Sequence, residues 1–321
     1  MKILSAVCLI LGCFLGAGFV SGREVAYYFS RFGEMSYLPC IVCGVLFFIL
    51  TMFFFIISSK VSNTSEFFSM YFKKCATVVE WLFAICIVIF IGSMIAGTSA
   101  LADCLGYNKL VFVMFTMILT FLVVNKNIQG ISNINTILVP ILILVLCLTI
   151  RNGEYPFSSS NEPILSMFYG AAYVFINIVS LGLIIIEIGY KYTFKEKVIV
   201  SIISTTIIVG LLLGINYSII SNNLVDAVMP NLVLSRSNFL LYFVMQIAVY
   251  LGLFTTLISN TFLLSRFVNK YIRDKRLSII FCLLMGLLIS LCGFNNIVGF
   301  VYIFIGIVGV VIVVGGAKKR V

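Results

Sequence analysis

The chain has 321 residues, of which 62% are hydrophobic and 10% charged, with a formal net charge of +10 and a mean hydropathy of +1.20. Soluble domains are about 45–50% apolar and about 25% charged, so this composition excludes a water-soluble fold. A membrane-spanning helix needs about 20 apolar residues, and the ~199 apolar residues therefore predict an all-α integral membrane protein with about ten transmembrane helices.

Apolar runs bounded by charged or turn-forming residues place ten spans along the chain. In chain order they cover approximately Ile3–Phe29, Tyr37–Ser58, Val78–Ala102, Leu110–Val124, Ile131–Ile150, Ile164–Tyr190, Val198–Ile220, Phe239–Leu264, Leu277–Cys292 and Ile297–Gly315. The first run resembles a signal peptide, but it continues into a second apolar stretch, 25–32, so we expect it to be retained as a span.

The first span is interrupted near its middle by Gly16, Gly18 and Gly22. Glycine releases backbone groups from the helix, and such backbone at membrane depth is tolerated where it lines a protein-enclosed cavity. The alternative is a small-residue packing face, because Gly18 and Gly22 have G-x-x-x-G spacing. Arg23 and Glu24 favour a site, since they lie roughly 8–12 Å beyond the glycines and intramembrane charges mark pathways or sites. We expect both to have gating roles.

The second span contains the C-x-x-C pair Cys40 and Cys43. In a soluble fold after a strand, this spacing is typical of redox or metal sites. Here it lies in an apolar helix pattern, where small residues allow membrane helices to approach closely. The packing interpretation is therefore favoured over the redox one.

The sixth span carries Tyr173 and Asn177 near its centre, and Glu187 near one end. An amide at membrane depth needs a partner, either a neighbouring helix or a substrate, and we expect Tyr173 and Asn177 to line a substrate cavity. The sequence predicts that this helix, like the first, is broken at mid-membrane. Glu187 has two interpretations, an ion pair with Lys191 one turn later or a gating role.

The eighth span places Gly252, Thr255, Thr256 and Ser259 on one helix face. Hydroxyl and carbonyl oxygens are the hard ligands that a small cation such as Na⁺ prefers. The alternative is that these hydroxyls bond carbonyls of their own helix one turn earlier.

The spans repeat at an offset of about 160 residues, which divides the chain into 1–150 and 151–321, each with five spans. Because five is odd, the second repeat is predicted to be inverted in the membrane, as in many secondary transporters. Placing both termini in the cytoplasm leaves 16 of the 21 Lys and Arg residues on that side. The other five are Arg23, Arg31, Lys109, Arg151 and Arg236.

Several function classes lack the residues that they need. The chain has no histidine and 11 scattered acidic residues, which argues against an intramembrane enzyme and a transition-metal site. It has no G-x-x-x-x-G-K-S/T motif for ATP. Its basic residues are concentrated on the cytoplasmic side of the predicted spans, which does not suggest a nucleic-acid-binding patch. We therefore expect no catalytic residues and no cofactor, with Na⁺ as the candidate coupling ion. The expected partners are a small solute and the lipid bilayer but not nucleic acid, and the sequence leaves protein partners open.

The string Gly16-Ala17-Gly18-Phe19-Val20-Ser21-Gly22-Arg23-Glu24 resembles the signature of YkvI-type bacterial membrane proteins. These are placed in the amino acid/polyamine/organocation transporter superfamily with the LeuT-like fold. The resemblance covers the chain: ten spans, a broken first helix, a Tyr and an Asn in span 6, and a Thr-Thr pair in span 8.

The resemblance implies that backbone amides of Gly16, Ala17 and Gly18 hold a substrate carboxylate, with Phe19, Ser21, Tyr173 and Asn177 completing the substrate site. It implies a sodium site from Thr255, Thr256 and Ser259, together with the carbonyls of Gly16 and Phe19. Ala17 departs from the serine often found there. The fifth span has no Lys or Arg to replace sodium, which leans toward Na⁺.

The predicted function is a secondary active transporter of a small solute, an amino acid or related compound, coupled to Na⁺ or H⁺. It would lie in the bacterial inner or plasma membrane. The alternative is a receptor or sensor subunit that keeps the transporter fold and binds a solute without moving it, which spore germinant receptor subunits of the same superfamily resemble.

Overall fold

The computed structural model describes residues 2–61, 63–157, 162–294, 297 and 302–317, and in these ranges the regular structure is helical. The helices are α1 (Lys2–Phe14), α2 (Ala17–Val20), α3 (Arg23–Tyr28), α4 (Tyr37–Ile57), α5 (Thr64–Phe72), α6 (Ala76–Cys104), α7 (Lys109–Val124), α8 (Asn127–Thr149), α9 (Pro163–Gly189), α10 (Phe194–Ser221), α11 (Pro230–Ser235), α12 (Phe239–Ile272), α13 (Lys275–Ser290) and α14 (Tyr302–Ala317).

Each predicted span corresponds to a helix, except that the first is split into α1, α2 and α3. Five segments of the described chain are long and apolar enough to cross a membrane, and several of the other helices are apolar but shorter. Residues 298–301 of the predicted last span and the basic residues 318–320 lie outside the described residues. Two connections, α5 and α11, are helical although the sequence analysis did not predict them.

Polar side chains fix where many of the helices begin. The first N–H groups of a helix have no partner inside it, and a side-chain oxygen just before the helix supplies one. Such caps precede α5, α7, α10, α12 and α13, and are provided by Asn63, Asn108, Thr193, Asn238 and Asp274 respectively. The sequence therefore marks these helix starts with residues that would be costly deeper in a bilayer.

The helix α9 is the centre of the bundle and packs against α4 and α14, while α12 packs against α6, α8 and α13. The broken first span lies between them, because α2 contacts α12 and α3 contacts α9. Glycine allows the closest approach: a Cβ at Gly309 of α14 would lie 2.0 Å from the carbonyl oxygen of Phe175 in α9. The two helix backbones are therefore in direct contact at this point.

The predicted break in span 6 is wrong, because α9 is one continuous helix over 27 residues. Its small and polar residues have other uses. The Asn177 side chain donates to the Tyr173 carbonyl one turn earlier, at 2.9 Å, and Gly182 lies against the ring of Phe54 in α4. Local bonding and close packing thus account for the pattern that suggested a break.

The C-x-x-C pair agrees with the packing interpretation. Cys40 and Cys43 are both fully buried in α4, and neither forms a disulfide.

Candidate functional site

The first span is broken where the glycines predict it. After α1 ends, the Gly16 N–H donates to the Phe14 carbonyl at 2.8 Å rather than to Gly12, so the Gly12 carbonyl is released from the helix. The chain then forms the single turn α2 and a second interruption at Ser21 and Gly22 before α3 begins. The side chain of Ala17 lies outside the described part of the structure. Backbone groups at this depth are consequently available to other elements.

The second interruption is held by Asn231 of α11. Gly22 has a φ of +84°, a conformation that favours glycine, and a Cβ there would lie 3.0 Å from the Asn231 side-chain oxygen. The fully buried Asn231 donates its side-chain amide to the Val20 carbonyl at 2.9 Å and its backbone N–H to the Ser21 carbonyl at 3.0 Å. Sequence analysis missed Asn231, whose role depends on a contact more than 200 residues away in the chain.

The carboxylate of Glu24 lies inside the break. It is 5% exposed, accepts a hydrogen bond from the Tyr173 hydroxyl at 2.8 Å and covers Gly18 so closely that a Cβ there would lie 2.1 Å from Glu24 Oε1. The structure therefore brings together Gly18, Glu24 and Tyr173, which the sequence analysis selected separately. Ser21 also belongs here, since its hydroxyl donates to the Gly18 carbonyl at 3.2 Å.

Arg23 points away from Glu24. Its guanidinium donates to the carbonyls of Val225 and Ala227, at 3.4 and 3.1 Å, in the connection between α10 and α11. Arg23 thus fixes that connection over the end of the break rather than neutralising its neighbour. Its contacts connect two segments about 200 residues apart, which is compatible with the predicted gating role.

Two predicted substrate residues have local partners in this structure. Asn177 bonds its own helix, as described above, and is half-buried. Phe19 is fully buried, and its ring packs edge-on against Phe14 at 5.8 Å between centroids. Contact of either side chain with a substrate stays a prediction.

The predicted ion ligands on α12 divide into two groups. The hydroxyls of Thr255 and Ser259 donate to carbonyls of their own helix, those of Gly252 and Thr255, at 3.3 and 3.0 Å. The hydroxyl of Thr256 instead reaches across to the released Gly12 carbonyl of α1 at 3.4 Å.

The two predicted carbonyl ligands already accept backbone hydrogen bonds. The Gly16 carbonyl accepts from the Val20 N–H at 2.9 Å, and the Phe19 carbonyl accepts from the Gly22 N–H at 3.0 Å. The carbonyl that α1 presents to Thr256 is that of Gly12, one turn before the residue expected. Gly16 remains adjacent to this point, since a Cβ there would lie 3.4 Å from the Thr256 hydroxyl oxygen.

Glu187 lies at the far end of α9 and joins three elements. Its carboxylate accepts from the backbone N–H and hydroxyl of Thr64 in α5, at 3.1 and 2.6 Å, and forms an ion pair with Arg266 of α12. Lys191, the partner predicted by helix spacing, instead lies over the ring of Tyr190. Of the two interpretations of Glu187, the ion pair with Lys191 is therefore wrong, because the side chain turns inward toward α12. A cavity of about 300 Å³ adjoins this cluster.

The two charged residues of this cluster differ in burial, so removing one should cost more stability than removing the other. Glu187 is 4% exposed and Arg266 is 50% exposed, so Arg266→Met leaves a buried carboxylate without its cation. We expect Arg266→Met to destabilise the protein by about 1–3 kcal/mol and Glu187→Gln by less, with the double variant close to Glu187→Gln. Thermal unfolding in detergent measures this, with the exposed Arg273→Met as control. Equal losses for the two single variants would contradict the assigned burial.

No protein-family model matches the chain. Its sequence is similar to two proteins of Bacillus subtilis (strain 168), the uncharacterized membrane protein YkvI and the uncharacterized protein YyaD. The YkvI match is 28% identical over 156 residues and spans 47% of this chain and 45% of YkvI, less than half of that relative. The YyaD match is 24% identical and covers 95% of this chain and 93% of YyaD. The predicted resemblance to YkvI-type membrane proteins is confirmed.

The fold is similar to those of two solved structures. MhsT in complex with L-phenylalanine matches with a TM-score of 0.71 and 12% identity, over 98% of this chain and 87% of that one. Mhp1 in its inward-facing conformation matches with a TM-score of 0.55 and 13% identity, over 99% of this chain and 76% of that one. Both are secondary transporters rather than enzymes. The chain therefore has the predicted LeuT-like, all-α membrane fold.

Proposed function

We propose that the protein is a secondary active transporter, which moves a small solute such as an amino acid or a related compound by alternating access. The observation that carries this proposal is the break between α1 and α3. It places released backbone groups and the buried Glu24 carboxylate between α9 and α12, at the centre of a LeuT-like bundle. Unladdered backbone at membrane depth is tolerated where it lines a cavity, and broken helices form the solute sites of many transporters.

Two further features support alternating access. At one end of the bundle, Asn231 and Arg23 join α11 and its preceding connection to the broken span. At the other end, Glu187 joins α5, α9 and α12. We propose that these two sets of polar contacts close opposite ends of the site in turn, as alternating access requires. We propose that the protein lies in the bacterial plasma membrane with both termini cytoplasmic, and that 1–150 and 151–321 are its two repeats.

The test is uptake of labelled solutes into proteoliposomes with imposed Na⁺ or H⁺ gradients, beginning with amino acids. We expect at least one solute to accumulate with an applied gradient and to stop accumulating when an ionophore removes that gradient. Solute binding without uptake under any gradient would contradict a transporter and leave the receptor alternative.

Sodium coupling is proposed at the contact between Thr256 and the Gly12 carbonyl. If an ion binds there, Thr256→Val removes one oxygen ligand and should raise the Na⁺ concentration for half-maximal uptake by about 10-fold, since one such ligand contributes about 1.4 kcal/mol. Thr120→Val is the matched control, because that buried hydroxyl bonds a carbonyl of its own helix at 2.8 Å. If the Na⁺ concentration for half-maximal uptake is unchanged in Thr256→Val, this contact is not the sodium site.

A further inference from the structure

An apolar cavity of about 480 Å³ lies between α3, α9 and α14, apart from the break. On α9 it is lined by Phe168, Ala172 and Ile176, which share one face of that helix. Tyr173, which belongs to the break, lies about 100° around the helix from the centre of that face. The buried ring of Tyr28 also stands between Tyr173 and the cavity. The cavity is therefore a separate site.

The cavity opens toward the surface that the bilayer covers. Its floor includes the buried Ile176 and Gly306, whereas Phe168 and Ile307 at its rim are 68% and 60% exposed. These exposed residues are apolar and belong to two of the predicted spans, so they face lipid chains rather than water. The volume is within the range of small-molecule sites. An acyl chain from the membrane fits both the lining and the opening.

A guanidinium lies at one end of this cavity. The Arg31 guanidinium is 5.4 Å from the ring centroid of Tyr27 and 5.2 Å from that of Tyr169, and both rings line the cavity. A third ring, that of Phe32, lies at 5.7 Å. All three distances are within the range of cation–π attraction, so the rings hold this exposed side chain close to one position.

Arg31 has unused hydrogen-bonding capacity. It takes part in none of the four ion pairs formed by the described residues, and none of those residues forms a hydrogen bond with it. A guanidinium carries five N–H donors in a planar fork that matches the oxygens of a phosphate group. The fixed position of Arg31 therefore presents a ready anion site at the end of an apolar cavity.

An anion beside an acyl chain is the chemistry of an anionic phospholipid. Tyrosines such as Tyr27 and Tyr169 are typical of the membrane interface, the depth at which lipid phosphates lie. A free anion would leave the apolar cavity unused, and a zwitterionic lipid would bring its own cation close to Arg31. The combination of cavity and charge thus favours a lipid with a net negative headgroup.

We propose that Arg31 and the cavity between α3, α9 and α14 bind one anionic phospholipid, with its phosphate on the guanidinium and an acyl chain in the cavity. This site goes beyond the proposed function and does not depend on it. Because α3 is part of the broken span, the bound lipid joins the end of that span to α9 and α14. Binding should therefore raise the Tm of the protein.

The test titrates the purified full chain in detergent with phosphatidylglycerol and with phosphatidylcholine of identical acyl chains, and native mass spectrometry counts the bound lipids. We expect one phosphatidylglycerol per chain, bound at least about 10-fold more tightly than phosphatidylcholine, which is the effect of one charge-assisted contact. Arg31→Gln should remove this preference. Arg31→Lys should retain part of it, since an ammonium keeps the charge without the planar fork.

Arg236→Gln is the matched control for the headgroup. Arg236 is also exposed and lies over a tyrosine ring, that of Tyr242 at 6.0 Å, but Tyr242 does not line the cavity, so this variant should bind like the wild type. Ala171→Leu tests the chain, because Ala171 lines the cavity and a larger side chain there fills it. Both lipids should then bind more weakly, and Tm without lipid reports whether the variant is folded.

Four results overturn the proposal. Equal binding of the two lipids to the wild type, or an unchanged preference in Arg31→Gln, would mean that Arg31 does not select the headgroup. Unchanged binding in folded Ala171→Leu would place the lipid outside the cavity. Displacement of phosphatidylglycerol by an equal concentration of glycerol 3-phosphate would indicate a site for free anions. Dimers without bound lipid would show that a second copy of the chain covers this face instead.

Discussion

Gly18→Ala is expected to reduce solute uptake by about 10-fold to about 100-fold without unfolding the protein. The new Cβ would lie 2.1–2.4 Å from the Glu24 carboxylate and its adjoining carbons, so the side chain must move away and lose the Tyr173 hydroxyl. A hydrogen bond to a charged group contributes about 1.5–3 kcal/mol, which corresponds to that range of rate or affinity. Initial uptake rates in proteoliposomes, together with Tm in detergent, measure both quantities.

Gly210→Ala is the matched control for this variant. Gly210 is also helical, and a Cβ there meets no atom within 4 Å, so uptake should be unchanged. If Gly18→Ala lowers Tm and uptake in parallel, Gly18 is a packing residue, as the G-x-x-x-G alternative holds. If it transports like the wild type, Glu24 has no part in the site.

Gly309→Ala should give the largest loss of stability among the single-methyl changes considered. The added Cβ would lie 2.0 Å from the Phe175 carbonyl oxygen and 2.9 Å from its carbon, and a helix backbone cannot yield as a side chain does. The helix α14 must therefore separate from α9. Overpacking of this kind costs about 1–3 kcal/mol, and thermal unfolding in detergent should show the decrease in Tm.

Gly306→Ala tests whether this effect depends on position. Gly306 lies one turn earlier on α14, where a Cβ would be 3.4 Å from a side-chain carbon of Ile176, an ordinary contact distance. We expect its Tm to remain close to that of the wild type. A similar decrease in both variants would mean that any methyl group on this face disturbs α14, and the backbone contact at Gly309 would not be the cause.

The sequence was sufficient for the bundle and for the break, because both follow from composition and local chemistry. Apolar runs of the required length become helices in a bilayer, and three glycines within seven residues interrupt one of them. Glu24 was also recognisable, since a carboxylate within a span is costly. The sequence could not show the direction in which each charged side chain points. The neighbours Glu24 and Arg23 point in opposite directions, Glu24 back to Gly18 and Arg23 to the connection before α11.

Errors arose where a local pattern has two physical explanations. Asn177 in α9 suggested a second break, yet its amide is satisfied by a carbonyl of the same helix, which a sequence cannot distinguish from a substrate contact. Glu187 has a lysine at helical spacing and pairs with Arg266 instead, because tertiary packing brings α12 alongside α9. No sequence pattern pointed to Asn231. Its partners lie more than 200 residues away in the chain and are identified only by the packing of α11 against the break.

The bonds that Asn231 and Arg23 make have a consequence for affinity if the protein is the proposed transporter. Two hydrogen bonds from each residue hold α11 and its preceding connection in place, and a solute that entered at this end would require all four to break. At about 1 kcal/mol each, the open form is disfavoured by about 4 kcal/mol and has an occupancy of about 0.1%. Apparent affinity for a solute from that side is then about 1000-fold weaker than the intrinsic affinity of the open site. Variants that weaken this closure should therefore appear as tighter binders.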